Sequence, residues 1–412
     1  MICAARRGLG ALLALALVAV TALALPTMAP SPASAQESFY TPPSPLPAGQ
    51  NGDVIKSQRV NYSNATATRI MYLSRDIRNQ PMPVTGTVLV PNTAWPGGGP
   101  RPIVAYAPFT AGMGDQCAVS HYLAGESWGD LSSGTQTGFI NALLAKGIAV
   151  VQTDYQGLGT PGTHTYMMRV PQAHAVLDAL RAARRLPASG LPTNGPLGIA
   201  GYSQGGSASA AAAELAPSYA PDLNLAGVYV GAPGADLSVL ARSLDGSFYA
   251  GFLGFALVGI EAAYPNSVLS RSNDAGRQLF QQINTVCTID AVFGYAYRQT
   301  STLTTDGRPV SAYVTEEPYR TIMAENKLGT VRPAAPVLVE HSSLDDVLPF
   351  AQGQQMARDW CSRGATVQFN DLFTFIPLFV HLFQASPAAT NAANWLAGRF
   401  NGTAPTSNCG RI

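Results

Sequence analysis

The apolar positions of the chain fall into two spacings. Short apolar runs occur at 69–74, 84–90, 102–107, 148–154, 196–201, 225–230, 336–340 and 366–369. Between many of them lie segments of helical spacing, at 137–146, 170–186, 204–215, 352–363 and 391–400. Over 170–186, for example, Val176, Leu177, Leu180 and Ala183 share one face of a 3.6-residue helix. The runs at 69–74 and 84–90 read as paired strands, and 102–107 as a buried one. Strands alternating with helices of this length predict an α/β fold with a mostly parallel sheet and helices on both faces.

Two stretches break the rhythm. Residues 36 to about 60 are rich in proline and predict an extended N-terminal arm. Residues 235–325 carry no strand alternation, and the sheet pattern returns only at Pro336. They predict a helical cap inserted between two strands, leaving a core of 36–234 and 326–412. Within the insertion, 248–260 contains no charged residue until Glu261. Its Phe248, Phe252 and Phe255 read equally well as the wall of an apolar substrate channel or as the cap's own core.

The N-terminus changes the picture of the whole. Arg6 and Arg7 precede an almost unbroken Leu/Ala/Val stretch at 9–25, and Ala33-Ser34-Ala35 forms a small-residue cleavage site. This order predicts a secretory signal peptide over 1–35, with the mature, extracellular chain starting at Gln36. No later stretch reaches the 18 or more apolar residues of a spanning helix. Cysteine usage agrees with export. Cys3 leaves with the signal, and Cys117, Cys287, Cys361 and Cys409 remain, an even number for an oxidising compartment. Three connectivities are open to them. Cys117 with Cys287 and Cys361 with Cys409 is preferred, the second pair pinning the C-terminal tail to the helix that ends near Arg363.

Composition then removes several function classes. Hydrophobic residues are 47% of the chain and charged residues only 12%, with formal net charge +1. Disorder needs the opposite balance. A nucleic-acid partner needs a basic footprint, which is missing. No C-x-x-C spacing or histidine cluster suggests a metal, and no cofactor motif is complete. Gly157-Leu158-Gly159 lacks the third glycine and acidic partner of a dinucleotide site.

The sharpest chemical signal is Gly201-Tyr202-Ser203-Gln204-Gly205-Gly206, placed where a buried strand ends and a small-residue helix begins. A turn this tight needs neighbours without bulk, and it projects the serine hydroxyl above the sheet as a nucleophile elbow. Such a serine needs a base, and in this arrangement the chain order is Ser, acid, His. Of the five histidines, only His341 and His381 follow Ser203, and only His381 follows Asp345. His381 is therefore the expected base, although a lone histidine between Phe379-Val380 and Leu382-Phe383 would ordinarily be a core residue. Asp345 is the preferred acid and Asp346 the runner-up. The oxyanion hole is expected from the backbone N–H of Gln204 and one from the loop after 102–107, with Thr110 preferred and Ala111 close behind. Phe109, Tyr202 and Phe379, beside these residues, join Phe248, Phe252 and Phe255 as expected substrate contacts.

Together these features resemble the secretory lipase family, whose best-known members are of the fungal lipase A type. The resemblance is carried by Asp154-Tyr155-Gln156-Gly157-Leu158-Gly159, Leu177-Asp178, Arg181-Ala182-Ala183-Arg184, the elbow itself, 215–221, the 345–349 turn and 361–365. It implies an α/β-hydrolase core, a helical cap and a secreted lipase or esterase. It also supports Ser203, Asp345 and His381 as a triad, and the preferred disulfide pairing. In two places the chain departs from the pattern. Phe109-Thr110 stands where related bacterial sequences look like Gly-Thr, and the short stretch after His381 leaves little room for the C-terminal flap of the fungal type.

The resemblance implies hydrolysis of acylglycerols or other carboxylic esters through an acyl enzyme. The expected partner is thus a small-molecule or lipid ester, with transient contact at a lipid interface compatible with it. An acyltransferase or serine peptidase on the same fold, and an inactive binding protein, are the rival readings. Low charge then becomes a statement about placement. If 248–260 and 372–383 meet in space, they form an apolar substrate entrance.

Overall fold

The structure, a computed structural model, describes residues 38–126, 131–373 and 379–412. The expected signal peptide over 1–35 lies outside the described residues. The chain builds β1 (Val54–Val60), β2 (Ala65–Arg75), β3 (Pro81–Pro91) and β4 (Ile103–Ala107) before its first helices, α1 (Val119–Leu123) and α2 (Leu131–Ala145). There follow β5 (Ala149–Thr153), α3 (Arg169–Arg185), β6 (Leu197–Tyr202), α4 (Gln204–Tyr219) and β7 (Leu225–Gly231). Five helices come next: α5 (Leu237–Ser243), α6 (Ala250–Ala263), α7 (Asp274–Ile283), α8 (Thr288–Gly294) and α9 (Tyr319–Asn326). The chain then re-enters the sheet with β8 (Val337–His341), α10 (Phe350–Ser362), β9 (Val367–Asp371) and α11 (Val380–Phe400).

The nine strands form one sheet in the order β1-β2-β3-β5-β4-β6-β7-β8-β9. The first three, and the β3/β5 pair, run antiparallel, and every pair from β5/β4 through β8/β9 is parallel. The central strands β4, β5 and β6 are buried along their whole length, as a parallel sheet covered on both faces requires. This explains their unbroken apolar runs. One face packs α3, α4 and α10 in a core that includes Val176, Leu180, Ala211 and Trp360. The other packs α2 and α11 in a core that includes Phe139, Leu143, Ala388 and Leu396. The alanines of α4 let it lie close against α3, where Ala179, Ala182 and Ala183 are also fully buried.

The helices between β7 and β8 carry a third core, in which Leu237, Leu253, Phe255, Val258 and Ile283 meet Tyr166, Met168, Val347 and Leu348. The return of this stretch to the sheet is fixed by Glu214 of α4. Its buried carboxylate accepts from the Arg169 guanidinium, from Gly329 N–H at 2.7 Å and from Trp360 Nε1 at 2.8 Å.

The elements depart most from the sequence reading in two places. The Pro-rich arm ends in a strand, β1, at the sheet edge. The final helix begins eleven residues before 391, at Val380. Pro387 lies inside it, where a sequence pattern would have ended it. Among the described residues no helix is long and apolar enough to cross a membrane. The disulfides pair Cys117 with Cys287 and Cys361 with Cys409, each with Cα atoms 5.5 Å apart.

Candidate active site

The glycines around Ser203 are there because nothing larger fits. A Cβ on Gly205 would run into the Ala107 carbonyl of β4, and one on Gly206 into the Gly231 carbonyl of β7. With α4 drawn this tightly onto the sheet, the turn has no room to relax. Ser203 adopts φ 58° and ψ −121°, a conformation that costs a non-glycine residue about 1–3 kcal/mol. Its backbone is held on both sides: its N–H donates to Gly231 O at 2.9 Å, and its carbonyl accepts from Ser207 N–H at 2.9 Å.

The hydroxyl meets His381 on α11. Ser203 Oγ is 2.8 Å from His381 Nε2, and His381 Nδ1 is 2.7 Å from Asp345 Oδ2. With Nδ1–H donating to the carboxylate, Nε2 is free to accept the serine proton. His381 is also fixed through its backbone, since Tyr202 Oη–H donates to its carbonyl at 2.7 Å. Asp345 and Asp346, adjacent in sequence, do different jobs. The Asp345 side chain is fully buried, and its Oδ1 accepts from Val347 and Leu348 N–H at 2.9 and 2.7 Å. Burial pushes this carboxyl up, but the imidazoles of His381 and His341 outweigh that and hold it well below the ordinary carboxylate range. Asp346 is exposed. It accepts His381 backbone N–H at 3.0 Å through Oδ1 and Tyr249 Oη–H at 2.9 Å through Oδ2. The runner-up acid therefore touches the backbone of His381, not its ring.

Gln204 follows Ser203 in the chain and Thr110 lines the same cavity, and the backbone N–H groups of both have no acceptor among the described residues. Both loops are braced by groups the sequence reading did not name. Thr110 Oγ1 pairs with Tyr166 Oη at 2.7 Å, and Thr110 O accepts from Thr288 Oγ1 at 2.7 Å. Thr288 N–H donates to Ala111 O at 3.1 Å, next to the Cys117–Cys287 disulfide. The Gln204 side chain is held by His164: Gln204 Nε2 lies 3.0 Å from His164 Nε2, while His164 Nδ1 lies 2.8 Å from Gln156 O. The carbonyl assigns the proton to Nδ1, so Nε2 accepts. Burial drives the His164 pKa down to about 4, which keeps the ring neutral near pH 7. Gln156 belongs to the 154–159 stretch that carries part of the family resemblance.

A cavity of about 290 Å³ opens above Ser203 and His381, walled by Phe109, Thr110, Tyr202, Phe252, Val292, Phe293, Phe379 and Leu382 among others. Apart from its catalytic-type groups and a few hydroxyls it is apolar. Four of the six aromatic residues expected at substrate line it: Phe109, Tyr202, Phe252 and Phe379. Phe248 sits behind the rim, its ring 5.7 Å from that of Phe293 and 6.2 Å from that of Phe379. Phe255 falls to the second of its two readings, the cap's own core. It is fully buried and does not line the cavity, because its position on α6 turns the ring inward against Tyr166, 5.7 Å away. The stretches 248–260 and 372–383 do meet, through Phe248, Phe252, Phe379 and Leu382. Residues 374–378 lie outside the described residues. A second apolar cavity, of about 80 Å³, lies within the helical layer around Leu240, Leu257 and Phe280. Neither Ser203, Asp345 nor His381 reaches it. Among the described residues no group of three or more His, Cys, Asp or Glu could hold a metal ion.

The sequence and the fold have counterparts among known proteins. A family model described as secretory lipase matches residues 127–408. A protein named a probable inactive lipase, from Mycobacterium tuberculosis (strain CDC 1551 / Oshkosh), is 30% identical over 89% of this chain and 82% of its own. Lipase A of Moesziomyces aphidis is 26% identical over 98% of this chain and 89% of its own. Among solved structures, Candida antarctica lipase A superposes with a TM-score of 0.78 at 24% identity, covering 90% of this chain and 87% of that one.

Proposed function

From the premise that the chain belongs to the secretory lipase family, we propose that it is an exported serine hydrolase acting on carboxylic esters, with acylglycerols as its substrate class. Residues 36–234 and 326–412 act as the α/β-hydrolase core, and 235–325 as a cap over the site. The observation that carries the reading is the unbroken line from Ser203 Oγ through His381 to Asp345, at 2.8 and 2.7 Å, opening into an apolar cavity.

The acyl chain of the substrate occupies the aromatic cavity and presents its carbonyl carbon to Ser203. His381 Nε2 takes the hydroxyl proton as Oγ forms the C–O bond. Asp345 holds the tautomer and stabilises the imidazolium that results. The carbonyl oxygen becomes an oxyanion between the N–H groups of Thr110 and Gln204. One such donor is worth roughly 3–4 kcal/mol of barrier. His381 returns its proton to the leaving alcohol as the tetrahedral intermediate collapses. Water, deprotonated by the same imidazole, then attacks the acyl enzyme and releases the acid with Ser203 restored.

The relative named inactive gives a second reading, a protein that keeps the fold without the chemistry. What favours catalysis is that all three side chains are present in this chain and in hydrogen-bond reach. A rate profile over triglycerides and p-nitrophenyl esters, from short to long acyl chains, separates the two. The proposal requires turnover that is abolished in Ser203→Ala while the protein stays folded, and turnover unaffected by that substitution overturns it.

A further inference from the structure

We infer that His341 is a positioning residue for the acid of this site. The inference rests on the reading of Asp345 as the group that orients His381. His341 is the last residue of β8 and is fully buried. Its Nε2 lies 3.0 Å from Leu348 O and 3.4 Å from Asp345 Oδ2. The carbonyl can only accept, so the proton sits on Nε2. Leu348 in turn gives its N–H to Asp345 Oδ1 at 2.7 Å. A closed circuit results, from the His341 ring to the Leu348 carbonyl, across that residue to its N–H, and back to the carboxylate. The backbone bonds fix one carboxylate oxygen. The positive end of the His341 N–H bond stands beside the other, the one that His381 uses.

The ring itself is locked. A Cβ on Gly353 of α10 would collide with His341 Nδ1, so the helix backbone lies directly against that edge. The Phe350 ring packs edge-on, 5.7 Å away. Nδ1 is buried without a hydrogen-bond partner. A leucine or phenylalanine would fill this core position without leaving a polar atom unpaired, which argues that the histidine is kept for its Nε2–H. The carboxylate therefore faces two imidazoles, His381, which moves the proton, and His341, which sets the carboxylate's orientation.

The test compares His341→Gln, whose amide nitrogen can reach the Nε2 position, with His341→Asn and His341→Leu, whose side chains cannot. Sites are counted by fluorophosphonate titration, so that loss of folded protein does not enter kcat. The expectation is a kcat at least tenfold lower in the Asn and Leu variants, KM within about twofold of wild type, and kcat restored to within about threefold by Gln. The downfield proton resonance of His381 Nδ1–H should persist in the Gln variant and weaken in the other two. Equal kcat in all variants, or failure of all three to fold, overturns the proposal in favour of a plain core role. A wild type inert to fluorophosphonate overturns the hydrolase reading and this proposal with it.

Discussion

Acidification should destabilise this protein through one buried ring beside the site. His164 is 1% exposed, accepts from Gln204 at Nε2 and donates to Gln156 O at Nδ1. Burial lowers its folded-state pKa from the ordinary imidazole value of 6.5 to about 4. The unfolded chain thus binds a proton here below pH 6.5, while the folded chain refuses it until about pH 4. Stability is full above the higher value and is lost as pH falls through this window. At about 1.4 kcal/mol per pH unit, the loss from His164 is about 3 kcal/mol. His174, also lowered to about 4 by burial, adds a slope of its own. Asp345, held below its ordinary range, adds nothing until pH drops under the usual carboxylate value. The clean assay is urea denaturation of wild type and His164→Gln across pH 7 to 4, where every other group cancels in the difference. The variant can start less stable at pH 7, but its curve should fall about 3 kcal/mol less. Parallel curves would refute the claim that this ring is buried neutral.

Three further outcomes follow from particular contacts. Replacing Cys117 and Cys287 with serine should cost ~2–4 kcal/mol of stability and also lower kcat, because the bridge ties the Thr110 loop to Thr288. Denaturation curves that shift with no change in kcat would show that the loop holds without the tether. Glu214→Gln leaves Arg169 facing a neutral partner in the interior and should cost ~3–5 kcal/mol by urea titration, and a loss under 1 kcal/mol would contradict the clamp. Phe252 stands between the main cavity and a smaller space of about 20 Å³ beside Ser203 and Gln204. Phe252→Ala should therefore shift the preference among p-nitrophenyl esters toward longer acyl chains, and an unchanged profile places the acyl chain elsewhere.

What the sequence revealed depended on how local each cause was. The elbow was legible because strand, turn and helix are contiguous and the glycines are forced by neighbours within the same motif. The order of Ser203, Asp345 and His381 was legible because histidines are scarce. Asp345 could not be separated from Asp346 by pattern. Both engage His381, one its ring and one its backbone, and only the path of the 345–348 turn decides which. His164 and Thr288 were missed because their partners, Gln204 and Thr110, lie 40 and 178 residues away. β1 was hidden at the sheet edge, where half-buried Lys56 and the exposed run Ser57, Gln58 and Arg59 erase the alternation. α11 was read short because Pro387 and the apolar run before it resemble a break. Phe255 shows the limit of reading a charge-free helix, since Phe252 faces the cavity and Phe255, one turn on, faces the core.

The central claim is that Ser203 is a nucleophile activated by His381. Fluorophosphonate labelling read by peptide mass mapping tests it most directly. One label per chain is expected, on Ser203, absent in Ser203→Ala and slowed by orders of magnitude in His381→Ala. A folded wild type that takes no label, or a label that persists undiminished in Ser203→Ala, would contradict it.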